Sequence, residues 1–136
     1  MSLLIKYSSF KRLSINLAFV ACSLLIGSSV YAEEAPDISW TKLLGTDSDD
    51  RSHGVSTASD GSIFITGFTG DDLDGETNAG NADAFLTKYS SDGTKAWTKL
   101  LGTSSYDVGV GVSTASDGSI YISGRTAGAL DGETNA

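Results

Sequence analysis

The chain has 136 residues, a formal net charge of −8 and a single cysteine. An acidic balance of this size argues against nucleic-acid binding and against docking on anionic membrane surfaces, both of which would repel it. One cysteine excludes a disulfide scaffold, so packing has to hold the chain together.

The first predicted element is a leader. Lys6, Lys11 and Arg12 precede an apolar run from Leu13 to Ile26, and Val30 and Ala32 place small residues at the −3 and −1 positions of a cleavage site. This is the layout of a secretory signal peptide over residues 1–32, cut after Ala32. A membrane-crossing helix needs about 20 apolar residues, more than this run supplies before Gly27. An uncleaved anchor is the alternative. A lipoprotein box at Phe19-Val20-Ala21-Cys22 is a weaker one, because phenylalanine stands where leucine is usual and the apolar run continues past Cys22. Cleavage removes Cys22 and three basic side chains, leaving six against 17 acidic ones, a net charge of −11. No membrane span is expected after cleavage, and the chain is expected in the periplasm, at the cell surface or outside the cell.

After a short lead over residues 33–39, the segment WTKLLGT begins at Trp40 and returns at Trp97. Residues 40–79 and 97–136 are identical at 29 of 40 positions, so the chain is an internal repeat with a period of 57 residues. The first unit spans 40–96, and the second, 97–136, holds most of another and is expected to continue in a longer protein or to be completed by association.

Inside the unit the pattern is that of short strands and tight turns. Gly54–Ser59 reads as a strand, Asp60-Gly61 as a hairpin turn and Ser62–Gly67 as the returning strand. A polar loop over Gly70–Asp83 leads to a strand at Ala84–Tyr89, a turn at Ser91-Asp92-Gly93 and a strand at Lys95–Leu101. Four strands joined in this way make an up-and-down antiparallel sheet. Ile63 and Ile65 face one side and Phe64 the other, so both faces call for cover. A lone four-stranded sheet of this size is marginal, and stacking like units face to face supplies the missing cover, as in a radial propeller. The predicted fold is therefore all-β, built of β-propeller blades of about 57 residues, with fewer than two blades present. Gly54, Gly67, Gly111 and Gly124 suit crowded positions near a propeller axis, and they suit bulges equally well.

The runs Asp107…Gly111-Val112…Ala115–Gly124 and Asp83–Tyr89…Asp92-Gly93…Trp97 resemble the bacterial SBBP-type β-propeller repeat. The likeness covers nearly all of Trp40–Ala136. It implies an exported or surface protein of seven-bladed type with no assigned catalytic residues. It also implies that a leading strand such as the one at Trp40 completes the last blade and locks the ring.

Function is less legible. The loops that differ between copies, Asp47–His53 against Ser104–Val110, are the expected partner surface for a protein or glycan ligand. Trp40 and Trp97 read as blade-packing residues rather than sugar platforms. Asp71, Asp72, Asp74 and Glu76 surround a glycine in the polar loop and offer oxygens to a cation such as calcium. The match to a calcium loop is partial, and the repeated part, Leu-Asp-Gly-Glu-Thr-Asn, also reads as a structural turn. Nothing supports catalysis. His53 is the only histidine and is replaced by Val110 in the second copy, and no nucleophile-elbow spacing is present. The reading is a non-enzymatic binding or structural module. A calcium-dependent adhesion or matrix module is the alternative, and an exported hydrolase or lyase, with its site among blades not seen here, is a lower one.

Overall fold

A computed structural model describes residues 1–9, 12–13, 32–33 and 35–135. Most of the expected leader, including its apolar run, lies outside the described residues. Ten strands and no helix occur among the described residues. They are β1 (Ser2–Tyr7), β2 (Arg12–Leu13), β3 (Ala32–Glu33), β4 (Ile38–Leu44), β5 (Asp50–Thr57), β6 (Ile63–Thr69), β7 (Asp83–Tyr89), β8 (Lys95–Leu101), β9 (Asp107–Thr114) and β10 (Ile120–Thr126). The chain divides into two compact units, Met1–Leu4 with Thr41–Ala136, and Ile5–Trp40. In the smaller unit, β2 pairs antiparallel with β3, and Ser8 N donates to Asp37 O at 2.7 Å.

The larger unit is organised by one four-stranded antiparallel sheet in the order β5-β6-β7-β8. This is the up-and-down blade that the strand and turn pattern predicts. Its hairpins close on Asp-Gly turns: Gly61 takes φ +82° and Gly93 φ +84°, values open to glycine because it has no Cβ to clash. Asp60 and Asp92 brace these turns by accepting from the amides of Ser62 (2.8 Å) and Thr94 (2.9 Å). The structural blade is offset from the sequence unit. Its outer strand, β8, is the WTKLL segment of the second copy, whereas the WTKLL of the first copy forms β4, which pairs with β1 in a separate two-stranded sheet.

Both faces of the blade are covered. On one, Ile65, Phe85 and Tyr89 are buried together with Leu44 of β4 and Leu73 of the polar loop. On the other, Phe68 is buried with Ala82 and with Val108 of β9. Consecutive residues of β6 therefore serve opposite faces, and six of its seven residues are buried. The second face meets the second copy across a close backbone contact. A Cβ on Gly54 would lie 3.2 Å from Gly111 Cα, and one on Gly109 would overlap Thr66 Oγ1. Gly67 and Gly124 have a different cause. They sit at the β5–β6 and β9–β10 bulges, where a Cβ would overlap the carbonyls of Arg51 and Val108. The bulge reading holds for Gly67 and Gly124, while Gly54 lies at a close approach between strands of the two copies.

The second copy forms only the β9-β10 hairpin. Here near-identical sequence has the opposite environment: Tyr121 is 62% exposed where Phe64 is 4% exposed, and Ile122 is 38% exposed where Ile65 is 3% exposed. Truncation should register this contrast. Ile65→Ala is expected to cost about 2–5 kcal/mol, and Ile122→Ala no more than about 1 kcal/mol, by denaturant unfolding of the full chain. Equal losses at the two positions would contradict the structure.

Candidate functional site

In each copy the WTKLL strand runs into a turn that both copies build alike. Asp50 Oδ2 accepts from Thr46 N at 2.6 Å and from Thr46 Oγ1 at 3.0 Å. Asp107 Oδ2 accepts from Thr103 N at 2.6 Å and from Thr103 Oγ1 at 2.9 Å. Each threonine hydroxyl in turn accepts from the amide two residues on, Ser48 or Ser105, at 3.1 Å. A third aspartate, Asp83 at the start of β7, accepts from Ala79 N at 2.8 Å, again four residues back. Sequence reasoning treated Asp47–His53 and Ser104–Val110 as the variable loops and passed over this clamp. The signal was present: a Thr and an Asp four residues apart persist in both copies while the residues around them change.

The three aspartates are almost fully buried, and each keeps one oxygen, Oδ1, without a hydrogen-bond partner. Their environments then diverge. Burial pushes the Asp83 carboxyl above the usual carboxylate range, and the charge of Asp107 adds to this against the pull of the Ala79 amide. Burial also pushes Asp107 upward, but the polar groups of Thr126, Thr103 and Ala127 around it outweigh this and hold the carboxyl below its ordinary value.

Beside Asp83 lies an open cleft of about 570 Å³, within the range of small-ligand sites. Three segments line it: Glu76 to Asp83 from the first copy, Leu100 to Ser104 at the end of β8 and just beyond, and Gly128 to Asp131. Its walls offer backbone groups, hydroxyls and carboxylates, with leucine side chains from the β8 end.

The four residues singled out for calcium do not converge. Leu73–Glu76 is a two-residue turn closed by reciprocal backbone bonds of 3.0 Å, with Asp74 at φ 55° and Gly75 at φ 86°. Leu130–Glu133 repeats it, with Asp131 at φ 51° and Gly132 at φ 85°. Positive φ at both central residues is the geometry of a type I′ turn, which favours Asp-Gly. This accounts for the repeated Leu-Asp-Gly-Glu. The Asp74 carboxylate accepts from Lys95 Nζ and, at 2.6 Å, from Thr98 Oγ1. Burial pushes that carboxyl up, and those two bonds together bring it below its ordinary value. Glu76 pairs with Lys99 at 2.7 Å. Asp72 Oδ1 accepts from Asn78 N and Asp71 Oδ1 from Asp72 N, each at 2.8 Å. No group of three or more metal-ligating side chains gathers among the described residues.

The remaining candidates are packing elements. His53 Nδ1 lies 3.1 Å from Gly109 O and its ring 5.8 Å from that of Phe68, so the histidine bridges the first copy to β9. Trp97 lies 6.1 Å, ring to ring, from Phe64 of its own sheet and is 36% exposed. Trp40 is half-buried. No family model matches the chain, and no curated protein matches it.

The buried acids give a test with a defined sign. A carboxyl whose folded pKa is raised lowers stability as pH rises from the unfolded value toward the folded one, because the unfolded chain ionises first. Asp83→Asn, which keeps an acceptor for Ala79 N, is therefore expected to gain on the wild type as pH climbs from about 4 to 7. Asp107→Asn, at a carboxylate held by several donors, is expected to lose about 1–3 kcal/mol at pH 7. Denaturant unfolding across this range reads both, and a pH-independent difference between Asp83→Asn and wild type would contradict the assignment.

Proposed function

We propose that the chain belongs to an exported protein of SBBP-type β-propeller repeats and acts there as a non-enzymatic binding or structural module, its leader over residues 1–32 being removed on export. Supporting the repeat assignment are the 57-residue period, the up-and-down order β5-β6-β7-β8 and the packing of β9 against the blade through Gly54, Gly109 and Gly111. The observation that carries the binding reading is the cleft that loops of successive copies build together. Such a site exists only when copies stack, so its shape is set by the rigid blades and its chemistry by the loops.

The ligand class that suits these walls is polar and neutral or cationic, such as a glycan or a peptide segment, because Glu76, Asp83 and Asp131 would repel an anion. Further blades, or association with other copies, would complete the ring.

Glycan and peptide arrays probed with the full chain test this reading. Ala129 is exposed on the cleft wall, so Ala129→Trp fills the cleft without touching a blade core. Ligands retained by the wild type are expected to be lost by this variant with an unchanged melting temperature. Retention by both would place binding elsewhere. Calcium addresses the adhesion alternative: with Asp74 and Glu76 engaged by lysines, calcium at about 1 mM, the weak end of extracellular calcium modules, is expected to leave the melting temperature unmoved. A rise of several degrees that disappears in Asp72→Asn would instead establish the calcium-dependent module.

A further inference from the structure

The first strand of the chain resembles a blade strand from which it is separated by more than a full repeat. Leu3-Leu4-Ile5-Lys6-Tyr7-Ser8-Ser9 aligns with Phe85-Leu86-Thr87-Lys88-Tyr89-Ser90-Ser91, the third strand of the blade and its turn, and five of the seven positions are identical. The structure gives this likeness a geometric counterpart. In the blade, the third strand β7 pairs with the fourth, β8, and Ser90 N donates to Thr94 O at 2.9 Å where the hairpin closes. The same sheet partnership joins β1 to β4, and Ser8 N donates to Asp37 O at 2.7 Å. Ser8 aligns with Ser90, and Asp37 lies one 57-residue period before Thr94. The bond from Ser8 to Asp37 thus stands where that from Ser90 to Thr94 stands between a third strand and a fourth.

The start of the strand agrees. Leu4 packs against the buried cluster of Leu44, Ile65, Leu73, Phe85 and Tyr89, and Ser2 is 4% exposed. The Met1 ammonium donates to Asp50 O at 3.0 Å and lies 3.8 Å from Asp50 Oδ2. At the matching point of the next copy, Ala82 O accepts from Asp107 N at 2.8 Å, just ahead of Asp83.

We propose that the edge of β4 is a strand-accepting surface for the third strand of a blade, and that Leu3–Ser9 occupies it as a removable stand-in until the leader is cut after Ala32. The partner is defined by chemistry: an extended segment of the pattern apolar-Leu-x-Lys-Tyr-Ser-Ser, adding main-chain hydrogen bonds along the edge and an apolar side chain on the core. While the stand-in is in place it shields a bare edge, a recognised hazard for unwanted pairing. Its removal with the leader opens β4 to the third strand of a terminal blade, the step that would close a ring. The removal step rests on the export reading above; the pairing does not.

Hydrogen exchange on the uncut full chain tests the pairing. Amides of Ser39–Leu44 are expected to exchange slowly in the wild type and about tenfold or more faster in Leu4→Asp, with Ile63–Thr69 unchanged. The double variant Leu3→Phe, Ile5→Thr turns the segment into an exact match of Phe85–Ser91 and is expected to keep or deepen the protection. Leu4→Asp within about twofold of wild type, or faster exchange in the double variant, overturns the proposal.

A specific protease site placed after Ala32 tests removal. Cutting the folded chain is expected to release protection in Ser39–Leu44, and a synthetic peptide with the sequence of Phe85–Ser91 is expected to restore it. Protection that survives the cut, or a peptide without effect, overturns the strand-accepting role. Failure of the export reading shows separately, as exported protein whose mass still includes residues 1–32, and leaves the exchange results on the uncut chain intact.

Discussion

The blade is an apolar sheet on both faces, and everything else in the structure follows from the need to cover it. Phe85 and Ile65 on one side and Phe68 on the other are each buried to about the same depth, yet they belong to one layer of strands. A sheet that is apolar on both sides cannot rest against a single helix or loop and still stay dry. Here the cover comes from outside the four-stranded sheet: Leu44 of the first WTKLL segment on one face, Val108 of the second copy on the other. Each copy thus supplies what its neighbour lacks, which is the energetic basis of repeat proteins. The β9-β10 hairpin shows the converse, since the same sequence without that cover leaves Tyr121 and Ile122 facing solvent.

Close stacking makes demands on the backbone, and the glycines record them. Gly54 and Gly109 let strands of successive copies approach closely, since a Cβ would press on Gly111 at the first and overlap Thr66 at the second, while Gly67 and Gly124 let single strands bulge. The hydroxyl and carboxylate groups drawn into the same interface are satisfied locally. Thr66 Oγ1 donates to Phe85 O at 2.7 Å, and Thr87 and Thr98 share a bond of 2.9 Å across β7 and β8. The exceptions are the three buried aspartates, of which Asp83 lines the inter-copy cleft.

The strands were legible because their chemistry is local. Asp60-Gly61 announces a hairpin whatever surrounds it, and the alternation through Ile63, Phe64 and Ile65 announces two buried faces. The blade boundary was harder to read, because the repeat in sequence starts at a strand that closes the previous sheet, so Trp97 belongs in structure to the blade of Phe64. The acidic loop was ambiguous for a physical reason. Carboxylates close in sequence suggest a cation, but the direction of each side chain depends on the lysines of β8, which lie about twenty residues away: Lys95 takes Asp74 and Lys99 takes Glu76. The Thr–Asp clamp escaped notice because its residues are common ones, set apart only by recurring in both copies.

Burial in this chain is conferred by stacking and not by the strand sequence itself. Amide hydrogen exchange of the full chain compares β6 (Ile63–Thr69) with β10 (Ile120–Thr126) in one experiment, on strands identical at four of seven positions and alike at two more, Phe64/Tyr121 and Thr66/Ser123. Burial by stacking requires slow exchange through β6 and fast exchange through β10. Comparable protection in the two strands would contradict it, because the bare strand would then be held by something other than a neighbouring copy.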